Sequence, residues 1–160
     1  MTAPAPAQTT SPVIRTLAAG QVEVAAGVLA ACLNGERDAA RARLDAALGE
    51  ADTTLMAAWE GDALVAVYVL EKVGFTNEVT AIAVAPAYRR RGVGRMCLYD
   101  ALLRSGKRPL VIGVDEGALP FAKAVGFKMV GRLNRPDGSV RYRMGWHAPM
   151  PQPDGSTIAC

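Results

Sequence analysis

The chain has 160 residues, 51% of them hydrophobic and 21% charged, which suits one globular unit with a sizeable core. Its formal net charge of +3 is too small to argue for nucleic acid, and no apolar run approaches the ~20 residues that span a bilayer. Three cysteines without metal-ligand spacing and a single histidine, His147, argue against a histidine-based triad or a His-rich metal site.

Residues 1–12 are rich in Ala, Pro and Thr and are expected to be disordered, and the proline-containing tail 149–160 is expected to be flexible. Between them, 13–148 reads as a single domain. The start lacks a basic segment followed by an apolar core, so no secretion signal is expected. Reduced thiols at Cys32, Cys97 and Cys160 suit the cytoplasm. A short strand is predicted at 13–17. Helices follow at 22–33 and 36–48, separated by Asn34-Gly35 and closed by Gly49. Strands at 54–59 and 63–72 flank Glu60-Gly61-Asp62, a hairpin signal. The strand 79–84 carries small and branched apolar residues on both faces, the pattern of a central strand. A helix at 93–106 sets Leu98 and Leu102 on its inner side. Lys107 and Arg108 beyond it favour a helix C-terminus. Then come a strand at 109–114, a short helix at 119–125, and strands at 127–133 and 140–146 around the Arg135-Pro136-Asp137-Gly138 turn. Layer packing turns this order into a mixed sheet with helices on both faces, an α/β (α+β) fold.

The segment 85–95 carries the strongest chemical signal. A strand, a glycine-containing turn and a helix N-terminus form a cradle for phosphate, because unpaired backbone N–H groups and the helix dipole both favour an anion there. Gly92 and Gly94 let a ligand approach the backbone, and Arg89, Arg90, Arg91 and Arg95 add positive charge. Arginines beside a helix are also compatible with a solvated surface, and two glycines with a plain turn. A P-loop needs Gly-Lys-Ser/Thr, whereas Gly94 is followed by Arg95-Met96. The dinucleotide fingerprint needs a third small residue where Cys97 stands, and it belongs near the start of its fold.

Arg89, Gly92 and Gly94 do occupy the fixed places of the pattern Arg/Gln-x-x-Gly-x-Gly/Ala, with Val84-Ala85-Pro86 just upstream. This segment resembles the pyrophosphate loop of the GNAT-type N-acyltransferases, which use acyl-coenzyme A. The later segment Ala118-Leu119-Pro120-Phe121-Ala122-Lys123-Ala124-Val125-Gly126-Phe127 resembles the same family's later helix, ending in Gly-Phe before a strand. The resemblance implies a mainly antiparallel sheet of about seven strands with a splayed middle, flanked by about four helices. It implies acetyl-coenzyme A as co-substrate, held by Ile82, Ala83, Val84, Arg89, Arg90, Arg91, Gly92, Val93, Gly94, Arg95, Asp115 and Phe121. It also implies direct acetyl transfer, in a ternary complex, to the primary amine of a small molecule or peptide. A homodimer is compatible with it; no metal, nucleic acid or membrane partner is expected.

Acyl transfer needs the coenzyme held, the amine neutral and the departing thiolate stabilised. By resemblance, the edge of Val84 pairs with the pantetheine arm. Glu78, eleven residues before Arg89, is the candidate base, expected at the start of the central strand and buried beside Val79 and Ile82. A strand-end glutamate exposed after Asn77 is the alternative. Where many members carry an acidic tyrosine after the aromatic residue of the later helix, this chain has Ala122. Where they often carry asparagine, it has Asp115. Tyr88, Tyr99 and Tyr142 are the tyrosines available; Tyr99 reads as packing, and Tyr142 could reach the site from the last hairpin. Glu36, Asp137 and Glu78 could attract a cationic amine, or be ordinary surface charges. The departures at Ala122 and Asp115 motivate a second reading, a non-catalytic acyl-coenzyme A-binding regulatory module.

Overall fold

A computed structural model of the chain describes residues 11–31, 35–106 and 108–146. Expectations that concern 1–10, Cys32, Asn34, Lys107, His147 and 149–160 lie outside the described residues. The elements follow the expected order: β1 (Val13–Thr16), α1 (Val22–Ala30), α2 (Arg37–Leu48), β2 (Thr53–Glu60), β3 (Ala63–Val73), β4 (Thr76–Val84), α3 (Val93–Ser105), β5 (Leu110–Asp115), α4 (Leu119–Val125), β6 (Lys128–Asn134) and β7 (Val140–Trp146). The strands form one seven-stranded sheet in the order β1-β2-β3-β4-β5-β7-β6, which puts β4 in the middle as its two-sided apolar pattern requires.

Alternating side chains split the core in two. On β2 and β3, Met56, Ala58, Tyr68 and Leu70 pack with Cys97, Leu98, Ala101 and Leu102 of α3 and with Ala122 and Val125 of α4. From the same strands Leu55, Ala57, Val67 and Val69 pack with Ala25, Ala26 and Leu29 of α1 and Ala40, Leu44 and Ala47 of α2. Alanines on the inner sides of α1 and α2 let these helices lie close to the sheet. Tyr68 is fully buried, and its hydroxyl donates to Asp100, which also accepts from Arg104 Nε at 2.7 Å. Burial, then Asp100, pushes the Tyr68 hydroxyl far above its ordinary range.

β4 and β5 are the only parallel neighbours among the described strands, and they share three registered pairs, Asn77↔Leu110, Glu78↔Val111 and Val79↔Ile112. Beyond Val79 and Ile112 the two strands part. Each continues on its other neighbour alone: β4 on β3 to Val84, β5 on β7 to Asp115. This is the expected splayed middle.

Three local expectations need correction. β4 begins at Thr76 rather than 79, so Glu78 lies inside the strand and not at its start. The strand after α4 begins at Lys128, while Phe127 is 2% exposed and packs edge-on against Trp146 at 5.4 Å. Arg108 serves the C-terminus of α3 only through its backbone, whose N–H donates to the Ser105 carbonyl at 3.0 Å, and not through its charge. Its guanidinium reaches across to Asn77 Oδ1 at 2.8 Å and to the carbonyls of Gly74 and Thr76 in the β3–β4 turn.

Asn77 is a buried polar residue at this junction, 4% exposed. Its Nδ2 donates to Ser105 Oγ at 3.2 Å, and its Oδ1 accepts from Arg108. The side chain thereby ties the first paired residue of β4 to the end of α3 and the approach to β5. Asn77→Leu keeps the volume but removes both bonds. It should cost about 1–3 kcal/mol, with the melting temperature falling by roughly 2–4 °C per kcal/mol for a chain of this size. Thermal unfolding followed by circular dichroism measures this directly.

Candidate active site

A cavity of about 890 Å³ lies where β4 has left β5. Its walls are Ile82, Ala83 and Val84 of β4, Tyr88 to Arg90 and Gly92 of the following turn, the first residues of α3 (Val93, Gly94, Arg95), and Gly117, Ala118 and Phe121 at the start of α4, with Ala31 beyond α1. The structure thus brings together Ile82, Ala83, Val84, Arg89, Arg90, Gly92, Val93, Gly94, Arg95 and Phe121. It does not bring Arg91, Asp115 or Glu78 to this wall. Tyr88, Ala31, Gly117 and Ala118 were not among the residues expected to hold the coenzyme. Tyr88 was visible as a tyrosine beside the arginines; the other three are small residues with no chemical signature.

The turn is built for an anion. Arg90 and Gly92 both take left-handed backbone conformations, with φ of 62° and 77°. Gly92 caps α3 without any side-chain hydrogen bond, and the first helical bond runs from the Met96 N–H to the Gly92 carbonyl at 3.0 Å. The N–H groups of Val93, Gly94 and Arg95 therefore have no acceptor within the helix and point out of its positive end. Left-handed residues alternating with ordinary ones make a concave run of N–H groups, a nest for a negatively charged atom.

The arginines divide their work. Arg89 Nε donates to the Val84 carbonyl at 3.1 Å, which fastens the turn to the end of β4. Along the edge of Val84, expected to pair with the pantetheine arm, the carbonyl thus already accepts one hydrogen bond. Arg91 is not on the wall itself; its guanidinium lies over the ring of the cavity-lining Tyr88 at 5.3 Å. Arg95 donates to the Tyr99 hydroxyl at 3.0 Å and lies over its ring. Tyr99 also packs edge-on against Trp146 at 5.3 Å, so its packing role holds.

Glu78 faces elsewhere than expected. β4 carries a bulge: Val79 pairs with Leu70 and Ala81 with Val69, leaving Thr80 as the extra residue. Plain alternation would put residues 78, 82 and 84 on one face. The bulge moves Ile82 and Val84 to the side of Val79, toward α3, and leaves Glu78 on the α2 side. There it registers with Glu71 and forms an ion pair with Arg143 Nη1 at 3.6 Å. Arg43 of α2 donates to Glu71 and to the Thr80 hydroxyl beside it.

Asp115 ends β5 with its side chain 73% exposed, 3.4 Å from Arg141. Ala122 is fully buried among the residues under α3, so the position after Phe121 faces the core rather than the cavity. Tyr142 packs on that same core side and does not line the cavity. Asp137 accepts from the Ser139 hydroxyl and backbone N–H within its own turn, which lowers its carboxyl below the usual range. Glu36 is exposed at the start of α2. Burial, with a smaller contribution from Asp100, pushes the Cys97 thiol up to about 12, so it is an inert core group. Among the described residues no His, Cys, Asp and Glu group could hold a metal ion, and no helix is long and apolar enough to cross a membrane.

Comparison with known proteins places this geometry among relatives. The profile of the Acetyltransferase (GNAT) family matches residues 28–127. An uncharacterized protein of Mycobacterium leprae is 32% identical over 126 residues, 74% of this chain and 35% of its own length. The N-alpha-acetyltransferase RimI of Mycobacterium tuberculosis is 40% identical over 76 residues, 44% of this chain and 48% of its own length. The chain thus spans half or less of these two relatives. The solved structure of an aminoglycoside 6'-N-acetyltransferase complexed with coenzyme A superposes with a TM-score of 0.76 at 16% identity, covering 88% of this chain and 99% of that one.

The two loop glycines are not equivalent. Gly92 is left-handed in open space, so a Cβ there meets no atom but strains the backbone. Gly94 is helical, and a Cβ would lie in ordinary contact with Phe121 and Val84 at 3.6 Å. Gly92→Ala should therefore lose about 1–2 kcal/mol, whereas Gly94→Ala, which gains helix propensity, should melt at or above the parent temperature. Paired thermal melts test the contrast.

Proposed function

The chain belongs to the Acetyltransferase (GNAT) family, and from that premise we propose that it transfers an acetyl group from acetyl-coenzyme A to a primary amine. One observation carries the reading: the left-handed turn at Arg90 and Gly92 aims the uncapped N-terminus of α3 into the cavity between the parted strands. A pyrophosphate suits that nest by charge and by hydrogen bonding. The structurally similar aminoglycoside acetyltransferase was solved with coenzyme A.

In this proposal the N–H groups at 93–95 and the Arg90 side chain hold the pyrophosphate, while Ile82, Ala83, Val84 and Phe121 line the path of the pantetheine arm. Acetyl-coenzyme A supplies an acyl group activated as a thioester. The amine nitrogen forms the new bond to the acyl carbon, the carbon–sulfur bond breaks with its electron pair on sulfur, and the amine releases a proton. We assign that proton to Glu78, directly or through water. Glu78 sits on the α2 side where the strands part, so the acceptor amine approaches from there. The buried Ala122 supplies no proton to sulfur, and none is needed, because a thiolate is a competent leaving group. The same reading puts the protein in the cytoplasm.

A non-catalytic acyl-coenzyme A-binding module is the second reading, favoured by Ala122 and by Glu78 not being among the cavity-lining residues. Two variants separate them. Gly94→Asp sets a negative charge in the pyrophosphate nest and should abolish coenzyme A binding in calorimetry; unchanged affinity of a folded mutant refutes the site. Glu78→Gln should reduce turnover roughly 100-fold, the typical worth of a general base, with coenzyme affinity unchanged. Turnover equal to the parent's removes Glu78 as the base. Binding without turnover on any amine supports the module.

A further inference from the structure

Among the described residues, no helix covers the α2 side of the sheet beyond β4. α1 and α2 pack on β2, β3 and β4, while Val130 and Leu133 of β6 stay 61% and 62% exposed. At the edge of this open area, beside the parting of β4 and β5, charged side chains from three parts of the fold converge. Arg141 of β7 lays its guanidinium on the backbone of Gly113, the first β5 residue past the last β4 pair. Its Nη2 donates to the Gly113 carbonyl at 2.9 Å, and a Cβ on Gly113 would come within 2.7 Å of its Nε. Arg143, on the same strand face, reaches Glu78, and Arg43 reaches Glu71 and Thr80 from α2.

Resting on the acyltransfer reading above, we propose that the acceptor is a small amine carrying its own carboxylate, an amino-acid-type zwitterion whose carboxylate is taken by Arg141 and Arg143 while its amine meets Glu78. The ion pairs that these arginines now make are easily exchanged. Arg143 to Glu78 spans 3.6 Å, beyond hydrogen-bond reach, and Arg141 to Asp115 spans 3.4 Å with Asp115 largely in water. A guanidinium fork matches a carboxylate in shape, and Gly113 provides a seat that only a residue without a side chain allows. Around the parting, Arg43, Arg141 and Arg143 balance Glu71, Glu78 and Asp115. A dipolar acceptor fits such a row, whereas a polycation would meet two guanidiniums beside the base.

The test uses the whole protein with acetyl-coenzyme A and follows thiol release. Glycine, β-alanine and L-aspartate are each compared with their carboxamides, at equal concentrations of neutral amine, with spermidine as the polycation. The acids should be preferred. Arg141→Gln, and independently Gly113→Ala, which displaces the guanidinium without removing its charge, should raise KM for the preferred acid on the order of 10-fold, with kcat and coenzyme A affinity retained. Thermal melts of both variants confirm that they fold. Equal use of acid and amide, preference for spermidine, or no transfer to any acid while coenzyme A binds would overturn this proposal and leave the coenzyme site standing. Absence of coenzyme A binding in calorimetry would instead bring down the acyltransfer reading, and this inference with it.

Discussion

β4 and β5 hold together for three residues and then separate, and the site depends on that separation. A sheet gains by continuing its ladder, so a gap in its centre must be stabilised elsewhere. Here the stabilisation is local at both ends. At the closed end, Asn77 and Arg108 bind the β3–β4 turn to the end of α3 and the start of β5. At the open end, Arg89 takes the Val84 carbonyl and the Ala85 N–H donates to Val65 O at 2.8 Å, which holds the strand end on β3. Between these clamps the two core halves keep each strand on its own partner.

The separation also divides the chemistry by face. The wall toward α3 and α4 is apolar along Ile82, Val84 and Phe121, and its positive potential comes from the N-terminus of α3 together with Arg89, Arg90 and Arg95. The α2 side is a row of paired charges. One surface therefore suits a long ligand with an anionic head, and the other a small polar one. The bulge at Thr80 is the device that lets one strand serve both, because it shifts side-chain parity within β4.

Much of this was legible in the amino-acid order. The 3.6 and 2 periods placed every described α-helix and strand, with boundaries shifted by a few residues where a strand end is decided by its partner, but not the short 3-10 turns at Ala19–Gln21, Pro86–Tyr88 and Glu116–Ala118. Val84-Ala85-Pro86, Arg89, Gly92 and Gly94 announced the turn, because a left-handed cap needs glycine and the signal is local. Other features were hidden. Arg90 takes a left-handed conformation that its side chain does not advertise. Arg91 is one residue away yet is not on the cavity wall, its guanidinium lying over the Tyr88 ring. Ala31, Gly117 and Ala118 line the cavity only because α1 ends and α4 begins there.

What the sequence determined by itself was the set of elements, the two-sided apolar strand at the centre and the phosphate-type turn, since each rests on periodicity or backbone preference within a few neighbouring residues. What only the tertiary structure decided was which side chains meet. Glu78 lies across the sheet from Ile82 because register with β3 leaves Thr80 unpaired, and register is a property of two strands. Ala122 is core because α4 packs that position into the cluster it shares with α3 and the sheet, and Arg141 and Arg143 reach the parted strands because β7 lies beside β5. Contacts between residues far apart in the chain follow from packing, which no local pattern encodes.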